Sequence, residues 1–263
     1  MNSKPVVLIS GASRGLGKAV ALWVARAGGD LALMARSREL LDEVAAEAAK
    51  AGAEVEVAAA DVADPAACEA FLGRVKARFG RLDALVNNAG VIGPIGPLET
   101  TAPADWRYAV EVNLLGPYYL TRAALPALRQ SSGRIINIGT GAATQPIPSW
   151  SAYCSSKAAL LHFSRVVANE EPHLTVVNVA PGVVETEMQA TIRRDGPGRM
   201  PKQLADYFVS LKTAGQLEPP EVPGKVIAWL ALEAPKRWTG AEVSYDDPQL
   251  AAQLQTSEVF ASL

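Results

Sequence analysis

Short apolar or β-branched runs alternate with longer helical patterns along nearly the whole chain, and this alternation fixes the class of fold. The runs are PVVLIS, LALMA, EVEVAAA, LDALVN, GRIINIG, LTVVNVA and GAEVSY. Helical spacing of apolar residues fills 15–28, 37–52, 65–79, 103–128, 151–169 and 221–234. In the first of these, Ala19, Leu22, Trp23 and Ala27 share a face. Ser37 is placed to cap the second and Gly52 to stop it. Unbroken apolar strands separated by helices imply a parallel sheet covered on both faces, with right-handed crossovers. The expected architecture is therefore α/β: a Rossmann-type, doubly wound, mainly parallel sheet of seven strands in a single domain over 1–263. The stretch 186–220, with Gly and Pro among charges, reads as irregular and as a lid over a substrate.

Composition excludes several other classes. Of 263 residues, 49% are apolar, enough for one large core. The formal net charge is −2 and Lys and Arg are scattered, so the chain lacks the basic footprint of a nucleic-acid binder. The two cysteines, Cys68 and Cys154, have neither metal nor disulfide spacing. His162 and His173 stand apart from other metal-ligating residues, so no metal is expected. No run of about 18 apolar residues offers a membrane span, and the N-terminus lacks a secretory pattern. A cytoplasmic protein acting on small molecules is the expectation.

Ligands on a doubly wound sheet bind beyond the carboxyl ends of the strands, and chemistry-bearing residues collect there. SGASRGLG follows the first strand, so Gly11, Gly15 and Gly17 punctuate a strand-to-helix turn that includes Ser13, Arg14 and Leu16. Glycine lets backbone approach a pyrophosphate, whose charge faces the helix N-terminus; the plain alternative is a tight turn. After the second strand, the carboxylate that would bond the ribose of NAD is replaced by Ala35 and Arg36. Arg14 and Arg36 together suit a 2′-phosphate, which points to NADPH, unless both are solvated surface arginines. Asp61, beside Val62, either bonds an adenine amino group or, with Asp64, caps the following helix. NNAG ends the fourth strand, where Asn87 can tie strands together and Asn88, Ala89 and Gly90 can border a cofactor. Asn113 is an amide in an apolar helix and must be hydrogen-bonded, either to backbone or to a water behind a lysine.

Tyr153 and Lys157 stand four residues apart on one helical face. An ammonium beside a phenol favours phenolate, so the expectation is a tyrosine with a lowered pKa that can give a proton to a carbonyl oxygen.

Taken together, GASRGLG, NNAG, the Asn113 helix, YCSSK and PGVVET resemble the short-chain dehydrogenase/reductase family from about residue 5 to 247. That resemblance implies Tyr153 as general acid, Lys157 as its activator and ribose holder, and Asn113 in a proton relay through water. The serine that orients the carbonyl in the family corresponds to Thr140, thirteen residues before Tyr153. The resemblance also places Pro181, Gly182, Val184 and Thr186 against the cofactor. It further implies a homodimer or homotetramer through the helices at 103–128 and 151–169. Within the family, SWSAYCSSKAAL, APGVVETEMQ and GAEVSYDDP look like fungal benzil reductases and sepiapterin reductase-like proteins. True sepiapterin reductases anchor the pterin on an aspartate whose place here is Ser244, which removes the expected ionic partner.

The apolar residues around these motifs suggest substrate walls: Ile92, Pro94 and Ile95, then Gln145, Pro146, Ile147, Pro148 and Trp150, then Val183, Val184 and Met188. Ordinary loop packing is the alternative for some of them. Two functional classes follow. One is an NADPH-dependent reductase of aromatic or vicinal diketones, with a pterin as the other substrate. The second is a catalytically weak NADPH-binding sensor that kept the fold.

Overall fold

Alternate residues of the first strand, β1 (Val6–Ser10), serve opposite faces: Val7 and Ile9 join one buried cluster, and Val6 and Leu8 another. The computed structural model describes residues 4–262, so the single-domain expectation over 1–263 runs past the described residues at both ends. After β1 come β2 (Asp30–Ala35), β3 (Val55–Ala59), β4 (Ala84–Asn87), β5 (Arg134–Ile138), β6 (Thr175–Ala180) and β7 (Glu242–Ser244). They form one parallel sheet in the order β3-β2-β1-β4-β5-β6-β7. The strand order reverses between β1 and β4, which opens a crevice at their carboxyl ends.

The helices are α1 (Gly15–Arg26), α2 (Arg38–Lys50), α3 (Pro65–Phe79), α4 (Pro103–Val110), α5 (Gly116–Ser131), α6 (Ser151–Glu170), α7 (Glu187–Asp195), α8 (Lys202–Thr213), α9 (Glu221–Glu233) and α10 (Pro248–Thr256). Val20 and Val24 of α1, Leu41 of α2 and Ile227 of α9 cover the Ile9 face. Phe71 of α3, Leu120 of α5 and Val167 of α6 cover the Leu8 face. Burying one such side chain contributes about 1.5–3 kcal/mol, so the two faces together fix which way the sheet is wrapped.

Buried amides lock the strands that carry the site. Asn87, Asn137 and Asn178 stand side by side in register on β4, β5 and β6. Asn87 donates to Asn137 Oδ1 at 2.8 Å, and Asn137 donates to Ser164 Oγ on α6 at 2.8 Å. Asn87 therefore has the strand-tying role, and the helix bearing Tyr153 is bonded to the middle of the sheet.

Two expectations need correction. The stretch 186–220 is not irregular, because α7 and α8 occupy most of it. Its glycines and prolines sit at the ends of these helices, whose buried faces carry Gln189 and Ile192, then Ala205, Phe208 and Leu211. The expected helix over 103–128 is split by a π turn, Glu111–Leu115, and runs on to Ser131. Pro117 has no N–H to return to the carbonyl of Asn113, and the ladder widens there. The sequence reading also lacked α10, which Asp247 caps and Pro248 opens.

Candidate active site

The glycine turn is held by close approach. Gly11 has φ +66°, and a Cβ there would stand 2.9 Å from Ala89 Cα. At Gly17 a Cβ would meet Gly11 O at 2.3 Å and Asn88 Nδ2 at 2.5 Å. Asn88 donates to the carbonyls of Ser10 and Gly11 at 2.9 and 3.1 Å, tying the turn to the end of β4. Ser37 caps α2 and Asp64 caps α3, but α1 has no side-chain cap and no acid in its first turn. Its open N–H groups and positive dipole end are left for an anion from outside the chain. These residues fit the pyrophosphate of a dinucleotide.

At the far end of the cleft, Arg36 Nη1 donates to Tyr108 Oη at 3.0 Å, and Tyr108 Oη donates to Asp61 Oδ2 at 3.0 Å. Asp61 also accepts from Ala63 N at 3.0 Å. Capping of α3 thus falls to Asp64, and the Asp61 carboxylate faces the cleft.

Tyr153, Lys157 and Thr140 meet at the cleft floor, where α6 passes the end of β5. Tyr153 and Lys157 are 7% and 4% exposed, so their ionisation is governed by burial. The Thr140 hydroxyl accepts from Ala142 N at 3.3 Å and stands near enough to the Tyr153 phenol to favour its ionised form. Lys157 Nζ donates to the Ile138 carbonyl at 2.8 Å and lies 6.0 Å from the centre of the Tyr153 ring. The expected lowered tyrosine pKa is not found. Burial pushes the phenol up to about 12 against the opposing effect of the nearby Thr140 hydroxyl, and burial pushes Lys157 down to about 8. Lys157 is turned to backbone, and desolvation outweighs its attraction for a phenolate.

Asn113 lies in the π turn. Its Oδ1 accepts from Val91 N at 2.8 Å, and its Nδ2 donates to Val91 O and Ser156 Oγ at 2.9 and 3.1 Å. Of the two readings of this amide, the backbone one describes its bonds. Asn113 pins the segment after β4 to α6, just before the lysine.

One cleft of about 1070 Å³ joins these parts. It exceeds the usual small-molecule pocket of about 300–1,000 Å³ and has room for a dinucleotide with a substrate. Every predicted cofactor residue lines it, as do Ile92, Thr140, Gln145, Ile147, Trp150, Val183, Val184 and Met188 of the predicted substrate walls; Pro94, Ile95, Pro146 and Pro148 lie outside it, and Asn113 sits behind the wall. Ser244 lines it too. The sequence reading missed Tyr108, Gln189, Ile192, Tyr207 and Phe208. Trp150 packs edge-on against Tyr153, with centroids 5.8 Å apart, and stacks on Phe208 at 5.2 Å. Tyr207 meets Phe208 at 5.3 Å and is exposed. The signal for Phe208 was the helical spacing of Leu204, Phe208 and Leu211. No group of three His, Cys, Asp or Glu that could hold a metal occurs among the described residues. Nor is any helix among them long and apolar enough to cross a membrane.

Comparison with known proteins agrees with this geometry. The sequence pattern of short chain dehydrogenases matches residues 5–197. The benzil reductase ((S)-benzoin forming) IRC24 of Saccharomyces cerevisiae is 34% identical over 258 residues, 93% of this chain and 97% of that one. The structure of YIR035C short chain dehydrogenases/reductase from Saccharomyces cerevisiae superposes with a TM-score of 0.90 at 32% identity, covering 94% of this chain and 98% of the other. An alcohol dehydrogenase from the archaeon Thermococcus sibiricus, complexed with 5-hydroxy-NADP, gives a TM-score of 0.78 at 30% identity, with coverage of 94% and 99%.

Proposed function

Because the chain belongs to the short-chain dehydrogenase/reductase family, and is thus an oxidoreductase of carbonyl and alcohol groups, we propose that it reduces aromatic or vicinal diketones of the benzil type with NADPH. The observation that carries this reading is Thr140 beside the buried Tyr153 and Lys157 at the floor of a cleft whose other wall is aromatic. Bound NADPH supplies the hydride. The glycine turn and the uncapped α1 hold its pyrophosphate, and Arg14 and Arg36 hold the 2′-phosphate. Thr140 orients the carbonyl oxygen, and Tyr153 gives that oxygen its proton. A phenol held near 12 keeps its proton at neutral pH, the state a reduction requires. Lys157, charged below about 8, attracts the phenolate left after transfer. Tyr153, Trp150, Phe208 and Tyr207 form a row of rings from the proton donor to the surface, which suits an aryl substituent. The helices α7 and α8 act as the lid. The protein works in the cytoplasm as a homodimer or homotetramer. The benzil reductase relative supports the substrate class, and the NADP-derivative complex supports the cofactor.

A panel of diketones with NADPH, followed as loss of the reduced cofactor, tests the reading. Turnover of benzil-type diketones supports it. Tight NADPH binding without turnover of any carbonyl would replace it with the sensor reading.

A further inference from the structure

Tyr108 holds a position that neither the glycine turn nor the reacting cluster explains. It projects from α4 into the gap between the ends of β2 and β3, where Arg36 and Asp61 face each other. A phenol is both donor and acceptor. Here it uses both functions, accepting from Arg36 and donating to Asp61, each at 3.0 Å. Burial and the Asp61 bond raise its pKa, so the proton that makes this arrangement possible stays on. The bond to Tyr108 takes one of the five guanidinium N–H groups and leaves the rest of the fork for an anion. Without the hydroxyl, Arg36 and Asp61 have nothing between them. A guanidinium fork suits a carboxylate as well as it suits a phosphate, so the arginine then turns to its neighbour.

We propose that Tyr108 is a specificity-determining positioning residue: it keeps Arg36 off Asp61 and aimed at the 2′-phosphate. This inference rests on the NADPH reading and deepens it. Tyr108 acts through Arg36 and touches no reacting atom.

Adenosine 2′,5′-bisphosphate and AMP separate the two readings, because they differ by the 2′-phosphate alone. Calorimetry of both on the full chain and on Tyr108→Phe gives the result. The unaltered protein prefers the bisphosphate, and Tyr108→Phe weakens the bisphosphate about tenfold while leaving AMP unchanged, the size of one charge-assisted bond. In an Arg36→Ala background the same change has no further effect on the bisphosphate. With saturating NADPH the variant keeps its kcat and shows the loss in KM. Equal loss of both probes would make Tyr108 a wall of the adenosine site and overturn the proposal, as would an undiminished preference. A protein that binds both probes equally before any substitution overturns the NADPH reading itself, and the role of Tyr108 with it.

Discussion

Tyr153→Phe removes one hydroxyl and leaves the ring packed edge-on against Trp150. Folding and NADPH binding survive, while turnover falls by about 10²–10⁴, the usual loss of a general acid. Near-native rates on every accepted ketone would move the acid elsewhere. Thr140 is more demanding, because its hydroxyl stands beside the Tyr153 phenol and caps the short turn Gly141–Ala143. Thr140→Val keeps the shape and loses the hydroxyl, with its bond to Ala142 N, so kcat falls. Thr140→Ser keeps the hydroxyl, sheds the methyl and matches or exceeds the parent rate. Kinetics of the pair on one diketone check this, and an active Thr140→Val enzyme would exclude Thr140 as the orienting group. Lys157 gives a pH test in the ligand-free protein. Its pKa is about 8 folded and near its ordinary 10.5 unfolded. Between those values the unfolded chain binds the extra proton, so stability rises with pH, and the penalty of the buried charge persists in full below about 8. Measured against Lys157→Met in a Tyr153→Phe background, which removes the phenol's own titration, the urea midpoint difference shifts in favour of Lys157 from about pH 8 to 10.5. A flat difference across that window would mean that Lys157 is solvated.

At the scale of the element, α8 sets the aromatic wall. Phe208→Ala removes a ring of the cleft wall, and with it an aryl–aryl contact to a bound diaryl substrate worth about 0.5–1.5 kcal/mol beyond its area. The KM for a diaryl diketone therefore rises by roughly 2–10-fold, while that for a small aliphatic diketone stays near its parent value. An equal rise for both would make α8 a general support. This helix also marks where the sequence was hardest to read. Pro201 and Gly215 punctuate its ends, and its apolar face was present at 204, 208 and 211, but the surrounding charges and glycines disguised the period. Turn chemistry was easier, since Ser37 does accept from Leu40 N. The π turn at Glu111–Leu115 left no periodic trace, because it joins α4 to α5 with no glycine, proline or cap of its own to mark a break. Tyr108 was invisible for another reason: its value lies in two partners far off in sequence, Arg36 and Asp61, and only the sheet brings them together.

Across the whole molecule, strand–helix alternation disclosed the α/β class and the edge where ligands bind, since both follow from local periodicity and crossover handedness. The burial that governs Tyr153 did not follow from spacing, because Y-x-x-x-K fixes the helical face and says nothing of how much protein covers it. The cofactor is the property that draws on all of these parts, and it can be read from the stability of the whole fold. A ligand that binds only the native state stabilises it by RT ln(1 + [L]/Kd), about 2.7 kcal/mol at 100 times Kd. For a domain of this size each kcal/mol raises Tm by roughly 2–4 °C. NADPH at that excess therefore raises Tm by about 5–10 °C. NADH at the same concentration lacks the 2′-phosphate for Arg14 and Arg36 and raises it less. In the Arg14→Ala/Arg36→Ala double variant the NADPH shift falls to the NADH value, while the NADH shift is kept, because the glycine turn and α1 still hold the pyrophosphate. Thermal scans of both proteins with both cofactors check this. Equal shifts in the unaltered protein would show that the two arginines do not read the phosphate.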